Sequence, residues 1–510
     1  MISCGGSRII GRRGFLQTAA GASLLGFSPK AEALIPRPKL SICLLAEQFR
    51  TDYLSRNFDF FPFGGFRKLL EDGAFFPDCR LLSLTFTATG LASLLTGTYA
   101  SLHGIPADRW YDRHSGKVVS AGSVRSPATS LIGPSARTGN RIFAIVQSAG
   151  AADLMTSAGA TNIFSGNGAA PFRFSGTEPI SWLGRFNQEH SPESDRDRAW
   201  VATSAASGTP PMRTLRYDHS HPDDFLALLA SSPFSQSMEM ALLRELIVNQ
   251  KLGLQAGDDT VVVLLESLGR LGAEVGGSSP LVDDEVSNLD REVSALLDLL
   301  ATRLPPEQYQ VVFTATHGAA DMPNADSRVS SAEIAGVVEK ALAAEYGKGK
   351  TGIKFVEAYV YPFLYLRTGR IPNSELPRAR EIAGRAAMEA GKVASYLTAD
   401  GMCSHSGDWE IRLRNSFYKG RSGDVLLVYQ PGFVESHDNG RGISYGSPYN
   451  YDAQVPLIFY GPAFRAGEYS ETIETIDIAP TLAQVSSLPL PSSATGRVLA
   501  RALVTERDSA

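Results

Sequence analysis

An α/β fold, with a mixed, mostly parallel central sheet between helix layers and cap insertions, is predicted by three features of this 510-residue sequence. Short apolar runs lack in/out alternation. Amphipathic helical stretches separate those runs. The composition, 43% hydrophobic and 20% charged, is that of an ordinary globular chain with a large core. The apolar runs lie at residues 41–46, 142–146, 260–265, 310–314 and 456–460. Because successive residues of a strand point to opposite faces, an uninterrupted apolar strand is covered on both faces. The clearest helix spans 282–300. There Val286, Leu289, Val293, Leu296, Leu297 and Leu300 form one stripe, and Asp283, Asp284 and Glu285 load the positive end of the helix dipole. Strands alternating with helices imply a layered sheet whose ligands sit at the carboxyl ends of the strands.

The rhythm breaks twice. Residues from about 106 to 256 are rich in Ser, Gly, Pro and Ala. Residues from about 351 to 440 hold a strand pair, at 358–366 and 425–429, and a helix starting near Pro377. Both stretches read as insertions capping the sheet of a domain that spans 38–505.

The N-terminus reads as a targeting segment over residues 1–33. Arg8, Arg12 and Arg13 give a basic start without acids, the pair Arg12-Arg13 precedes Phe15-Leu16, and a mild apolar stretch ends in Ala31-Glu32-Ala33. This pattern resembles the twin-arginine signal of bacterial export, so the expected location is the periplasm or outside the cell. Beyond it no apolar run is long enough to cross a bilayer. A net charge of −5 without a basic stripe argues against a nucleic-acid partner. Of four cysteines, Cys4 would leave with the signal. Cys43, Cys79 and Cys403 form no framework pattern and read as free thiols, with a Cys43–Cys79 bridge as the alternative if both lie on neighbouring strands.

Motifs at the strand ends fall in a fixed order. Glu47-Gln48-Phe49-Arg50 follows the first strand. Thr85-Phe86-Thr87-Ala88-Thr89-Gly90 opens a helical stretch, and Asp108-Arg109-Trp110-Tyr111 follows. Thr314-Ala315-Thr316-His317-Gly318 ends another strand. Tyr449-Asn450-Tyr451-Asp452 and Asp477-Ile478-Ala479-Pro480-Thr481 come near the end. Together they resemble the type I phosphodiesterase/nucleotide pyrophosphatase branch of the alkaline phosphatase superfamily, and within it the bacterial phosphatases with a threonine nucleophile.

The resemblance implies a threonine at a helix N-terminus that attacks phosphorus between two zinc ions. Each zinc needs about three protein ligands of carboxylate or imidazole type. The nucleophile position falls on Thr87; read without the resemblance, Thr87 is an N-cap residue. The first metal carboxylate falls on Glu47, one methylene longer than the usual Asp, with a solvated Glu beside Arg50 as the alternative. The Asp-x-x-x-His pair falls on Gly269 and Ala273, which offer no donor; Glu266 and Glu274 are the nearest acids. The Asp-His pair falls on Thr316 and His317, the last histidine on Tyr445, and the phosphate-binding Asn on Asp108. The Lys and Arg contacts to phosphate fall near Gly150 and Ala152.

On this matching one zinc position loses all its ligands, and the other keeps Thr87, His317 and the longer Glu47. The sequence therefore predicts an exported family member without a zinc pair, impaired or inactive as a hydrolase, whose cleft takes a small ligand or an envelope protein. The competing expectation is a working phosphoric ester hydrolase with Thr87 as nucleophile and one weakly bound divalent metal, zinc, aided by Asp321, His405 or His437.

Overall fold

The computed structural model describes residues 37–132, 140–166, 171–177, 179–347, 352–436, 442–486 and 490–505. The segment expected to serve targeting, residues 1–33, lies outside the described residues. Residues 35–504 form one compact unit.

Its centre is a ten-stranded sheet. In chain order the strands are β1 (Leu40–Ala46), β2 (Ala74–Arg80), β5 (Arg141–Val146), β6 (Asn162–Ser165), β7 (Arg173–Ser175), β10 (Asp259–Leu265), β11 (Tyr309–Ala315), β18 (Gln454–Tyr460), β19 (Gly467–Glu468) and β20 (Ile473–Glu474). The spatial order is β19-β2-β18-β11-β1-β10-β5-β6-β7, with β20 also on β2. The run β11-β1-β10-β5-β6 is parallel, whereas β18 pairs antiparallel with both β11 and β2. The sheet is thus mixed and mostly parallel. All seven residues of β1 and of β11 are buried, as their unbroken apolar runs require.

The free-thiol expectation holds, its disulfide alternative falls, and the extent of the first cap changes. Cys43 and Cys79 are buried free thiols on strands separated by β11 and β18. A bridge between them is excluded by strand order, because four strands at roughly 4.8 Å spacing put them far beyond disulfide reach. The stretch 106–256 is also not all cap, since it donates β5, β6 and β7 to the main sheet. Its serine- and glycine-rich composition hides β6 and β7, while β5 is the apolar run at 142–146.

Smaller units flank the sheet. β3 (Arg109–Asp112) and β4 (Lys117–Ser120) form a hairpin, as do β8 (Arg198–Trp200) and β9 (Arg213–Leu215). β12 (Arg328–Val329) pairs with β17 (Val434–Glu435). A separate four-stranded sheet contains β13 (Val356–Val360), β14 (Phe363–Leu366), β15 (Val393–Thr398) and β16 (Val425–Tyr429), in the order β13-β14-β16-β15. The Ser331–Tyr346 and Leu376–Glu389 helices contribute to its core through Ile334, Val338, Leu342, Ala379 and Ala383. This unit falls largely within the stretch 351–440. The expected strand 358–366 is two strands joined at the cis Tyr361-Pro362 bond.

Helices set the positions of the strand ends. The Pro280–Arg303 helix begins at Ser279, whose hydroxyl accepts from the Leu281 N–H, with Pro280 at its first position and Asp283 in its first turn. These are favourable N-terminal features. The Thr87–Thr96 helix ends at Gly97, whose φ of 67° closes the helix in a conformation costly for other residues. Gly90, in its first turn, sits so close to the end of β11 that a Cβ would lie 2.1 Å from the Thr316 carbonyl oxygen. That close approach holds Thr87 against His317. Among the described residues no helix is long and apolar enough to cross a membrane.

Candidate functional site

A cavity of about 360 Å³ opens at the carboxyl ends of β1 and β10. Glu47, just past β1, lines it together with Thr87, Asp108, Gly269, Ala273 and Tyr445. Six positions drawn from five separate segments therefore meet in one place. Gly150 lines it too. His317 and Thr316 lie behind the wall, both fully buried. His317 reaches the cavity through Thr87; Thr316 turns its hydroxyl towards the Ala46 carbonyl, 3.5 Å away.

Thr87 is the first residue of its helix. Its Oγ1 lies 3.0 Å from His317 Nε2, and His317 Nδ1 lies 2.7 Å from the Gly318 carbonyl oxygen. A carbonyl only accepts, so Nδ1 carries the proton and Nε2 accepts from the Thr87 hydroxyl. Burial pushes the His317 pKa down to about 4, partly offset by the Gly318 carbonyl. The imidazole is neutral at pH 7, and its Nε2 lone pair is already engaged. Tyr445 stacks on it at a centroid distance of 4.3 Å.

Asp108 closes the other side. Its Oδ1 accepts the Ala88 N–H at 2.8 Å. That amide is a free donor of the first helical turn, the kind that receives an oxyanion when the position is open. Burial raises the Asp108 pKa, while the Ala88 amide, the Tyr445 hydroxyl and Arg109 oppose the rise. The Tyr445 phenol is itself held well above its usual value by burial, then by Asp108 and Glu47. It is no anionic metal ligand.

The Ser267–Val275 helix supplies the floor. A Cβ on Gly269 would lie 2.5 Å from both Cβ and Oε2 of Glu47. Glu47 thus occupies the space that a side chain at position 269 would need. Burial raises the Glu47 pKa well above the carboxylate range. Glu266 adds to the rise, Arg270 counters it, Asp108 adds again, and a hydrogen bond with Thr87 lowers it slightly.

Arg270 had no role in the sequence reading, and Glu266 entered it only as a nearby acid. Arg270 sits between the two donor-free positions and lines the cavity, its guanidinium 3.6 Å from Glu266. Glu266 is buried and accepts the backbone N–H groups of Gln147 and Ser148. Behind it, Glu239 is fully buried, and neither of its carboxyl oxygens has a hydrogen-bond partner among the described residues. The signal for Arg270 was its place within the Gly269–Ala273 motif, where a cation can replace a metal's charge without ligands. The other candidates lie elsewhere. Glu274 pairs with Arg213 at 2.8 Å, and Asp321 with Arg50 at 3.1 Å. His405 packs on Trp409, and His437 is outside the described residues.

These residues do not fit a zinc pair. Gly269 and Ala273 donate nothing, the Tyr445 phenol is held well above its usual pKa by burial, and the Thr87 hydroxyl is engaged with His317. Among the described residues no group of three or more His, Cys, Asp or Glu side chains could hold a metal ion. A site for two-metal catalysis needs two such groups.

The type I phosphodiesterase / nucleotide pyrophosphatase family model matches residues 41–447. The alkaline phosphatase PafA of Elizabethkingia meningoseptica is 24% identical over 91% of this chain and 94% of that protein. The alkaline phosphatase PhoK of a Sphingomonas species is 26% identical over 89% of each. The crystal structure of wild-type PafA superposes with a TM-score of 0.79 at 22% identity, covering 92% of this chain and 100% of that one. Murine ectonucleotide pyrophosphatase / phosphodiesterase 5 gives a TM-score of 0.57 at 15% identity over 92% and 100%.

Proposed function

Because the chain belongs to the type I phosphodiesterase / nucleotide pyrophosphatase family, we propose that it is an exported member in which phosphate-ester hydrolysis has been given up and the cleft kept for binding. The observation that carries this reading is the contact between Glu47 and Gly269. A missing ligand could be a single loss, but here the neighbouring carboxylate has moved into the vacated space. Two further residues support it. Arg270 supplies positive charge beside Glu47 and Glu266. Asp108 gives its own carboxylate to the Ala88 amide, so an incoming phosphate oxygen would meet negative charge where it needs a donor. In this reading Thr87 is a vestigial nucleophile position, and His317 positions it rather than a metal. Export through the twin-arginine route would place the protein in the periplasm or outside the cell.

The second reading is an active hydrolase with Thr87 as nucleophile. It draws on the 3.0 Å contact between Thr87 Oγ1 and His317 Nε2, which has the geometry of a nucleophile beside a base. One assay separates the two. Purified protein supplied with zinc is given p-nitrophenyl phosphate and bis(p-nitrophenyl) phosphate. The binding reading predicts turnover at the buffer rate, unchanged by Thr87→Ala. Turnover that disappears in Thr87→Ala would establish the hydrolase.

A further inference from the structure

Thr87 and His317 hold a geometry that serves chemistry without a metal. Thr87 is the first residue of its helix and lines the cavity of about 360 Å³. Its Oγ1 lies 3.0 Å from His317 Nε2, and the other ring nitrogen of His317 donates to the Gly318 carbonyl at 2.7 Å. That second bond fixes the tautomer in which Nε2 turns a lone pair to the threonine. A hydroxyl, a base in reach of it and a group that orients the base are the parts of an activated nucleophile.

The charge around this pair selects the electrophile. A phosphate ester is an anion, and its transfer calls for cations at the phosphorus oxygens. Here Glu47, Asp108 and Glu266 line the cavity, and its cation, Arg270, already lies 3.6 Å from Glu266. An anionic ester is repelled before it meets Thr87. A carboxylic ester brings no charge. Its carbonyl carbon needs a nucleophile, a proton acceptor and a donor for the developing oxyanion. The Tyr445 hydroxyl, beside Thr87 and Asp108, is such a donor, with its pKa held well above the usual value by burial. Ala88, Ala151 and Leu154 give the acyl group an apolar wall.

We infer that Thr87 and His317 act as a metal-independent nucleophile and base that accept the acyl group of a small, uncharged carboxylic ester. Thr87 Oγ1 adds to the carbonyl carbon while its proton passes to His317 Nε2. The tetrahedral oxyanion collapses, the ester C–O bond breaks, and His317 returns the proton to the departing alkoxide, which leaves as the alcohol. Water then adds to the acyl-threonine with its proton going to His317. Thr87 Oγ1 departs, takes that proton back, and the carboxylic acid is released. This names the compound class that the kept cleft takes and rests on the reading of that cleft as lacking a zinc pair. The two fail separately, because phosphate turnover is read with phosphate esters and zinc, and this inference with a carboxylic ester and a chelator.

The test is incubation of the full chain with p-nitrophenyl acetate in EDTA. Release of p-nitrophenol is followed by absorbance, and the acetylated peptide is located by mass spectrometry after an acid quench. Saturable release is expected, with acetyl on the peptide that holds Thr87, and the same rate without EDTA. Thr87→Ala should lose both the adduct and the saturable release, and Thr87→Ser should keep them. His317→Gln should slow acetylation by about 100-fold or more, the low end of general-base catalysis. Because both side chains are packed into the wall, a control on the native sequence accompanies the variants: unfolded in urea, Thr87 should be acetylated no faster than other hydroxyl residues. Absence of acetyl on Thr87 in the folded native chain, equal labelling of Thr87 in the folded and unfolded chains, or release that stops in EDTA and returns with zinc would overturn the inference.

Discussion

Glu47 and Gly269 fill one another's space: a Cβ at position 269 would fall 2.5 Å from the Cβ of Glu47 and from one of its carboxylate oxygens. The carboxylate can swing away, but the Glu47 Cβ is fixed to the end of β1 and moves only with the backbone. Gly269→Ala should therefore destabilise the protein by roughly 1–3 kcal/mol, the range for overpacking a tight contact. Glu47→Ala leaves a Cβ in place and removes only the carboxylate conflict, whereas Glu47→Gly removes both. In denaturant unfolding, Gly269→Ala should cost most in the native background, less with Glu47→Ala and least with Glu47→Gly. Equal costs in all three would deny the coupling.

Asp108 holds the anion position at the Thr87–Thr96 helix with its own carboxylate. Asp108→Asn keeps a carbonyl oxygen for the Ala88 amide while removing the charge. Inorganic phosphate, undetectable by titration against the native protein, should bind the variant with measurable affinity. If phosphate binds the native chain and Asp108→Asn leaves that affinity unchanged, Asp108 does not guard the site.

Glu285 offers a pH test away from the cavity. Burial raises its carboxyl to about 8; Asp284 adds to the rise, and the Ser267 hydroxyl and Arg213 oppose it. The folded chain then holds this proton more tightly than the unfolded chain, whose carboxyl titrates near 4.5. Its contribution is fully present below about pH 4.5 and is lost as pH rises through about 8, at roughly 1.4 kcal/mol per pH unit between the two. Glu285→Gln should remove that slope, so the variant gains on the native protein as pH rises from 5 to 8. Parallel stability curves would show that Glu285 is ionised in the fold.

Much of the fold was legible because burial on both faces leaves an unbroken apolar run, and the five runs noted in the sequence are all strands of the main sheet. Strand order leaves no such trace. Nothing in the β1 and β2 sequences records that β11 and β18 lie between them, which is why Cys43 and Cys79 could be imagined as partners. β6 and β7 sat within a serine- and glycine-rich stretch whose average composition says loop, although β5 in the same stretch showed as the apolar run at 142–146. At the site, Glu47, Thr87, Asp108, Gly269, Ala273 and Tyr445 were named through the family resemblance, and the fold brings all six to one cavity. Arg270 carried no such label, and Glu266 was named only as an acid near Gly269. Their role comes from charge balance across elements distant in sequence, which only the folded chain brings together.

The most direct measurement is calorimetric titration of zinc into the native protein and into a variant carrying Glu47→Asp, Gly269→Asp, Ala273→His and Tyr445→His. The native chain should take up no zinc saturably, and the variant should bind it saturably, as expected when whole ligands are added to a site. Two equivalents of zinc bound by the native protein, with both lost in His317→Ala, would contradict the account.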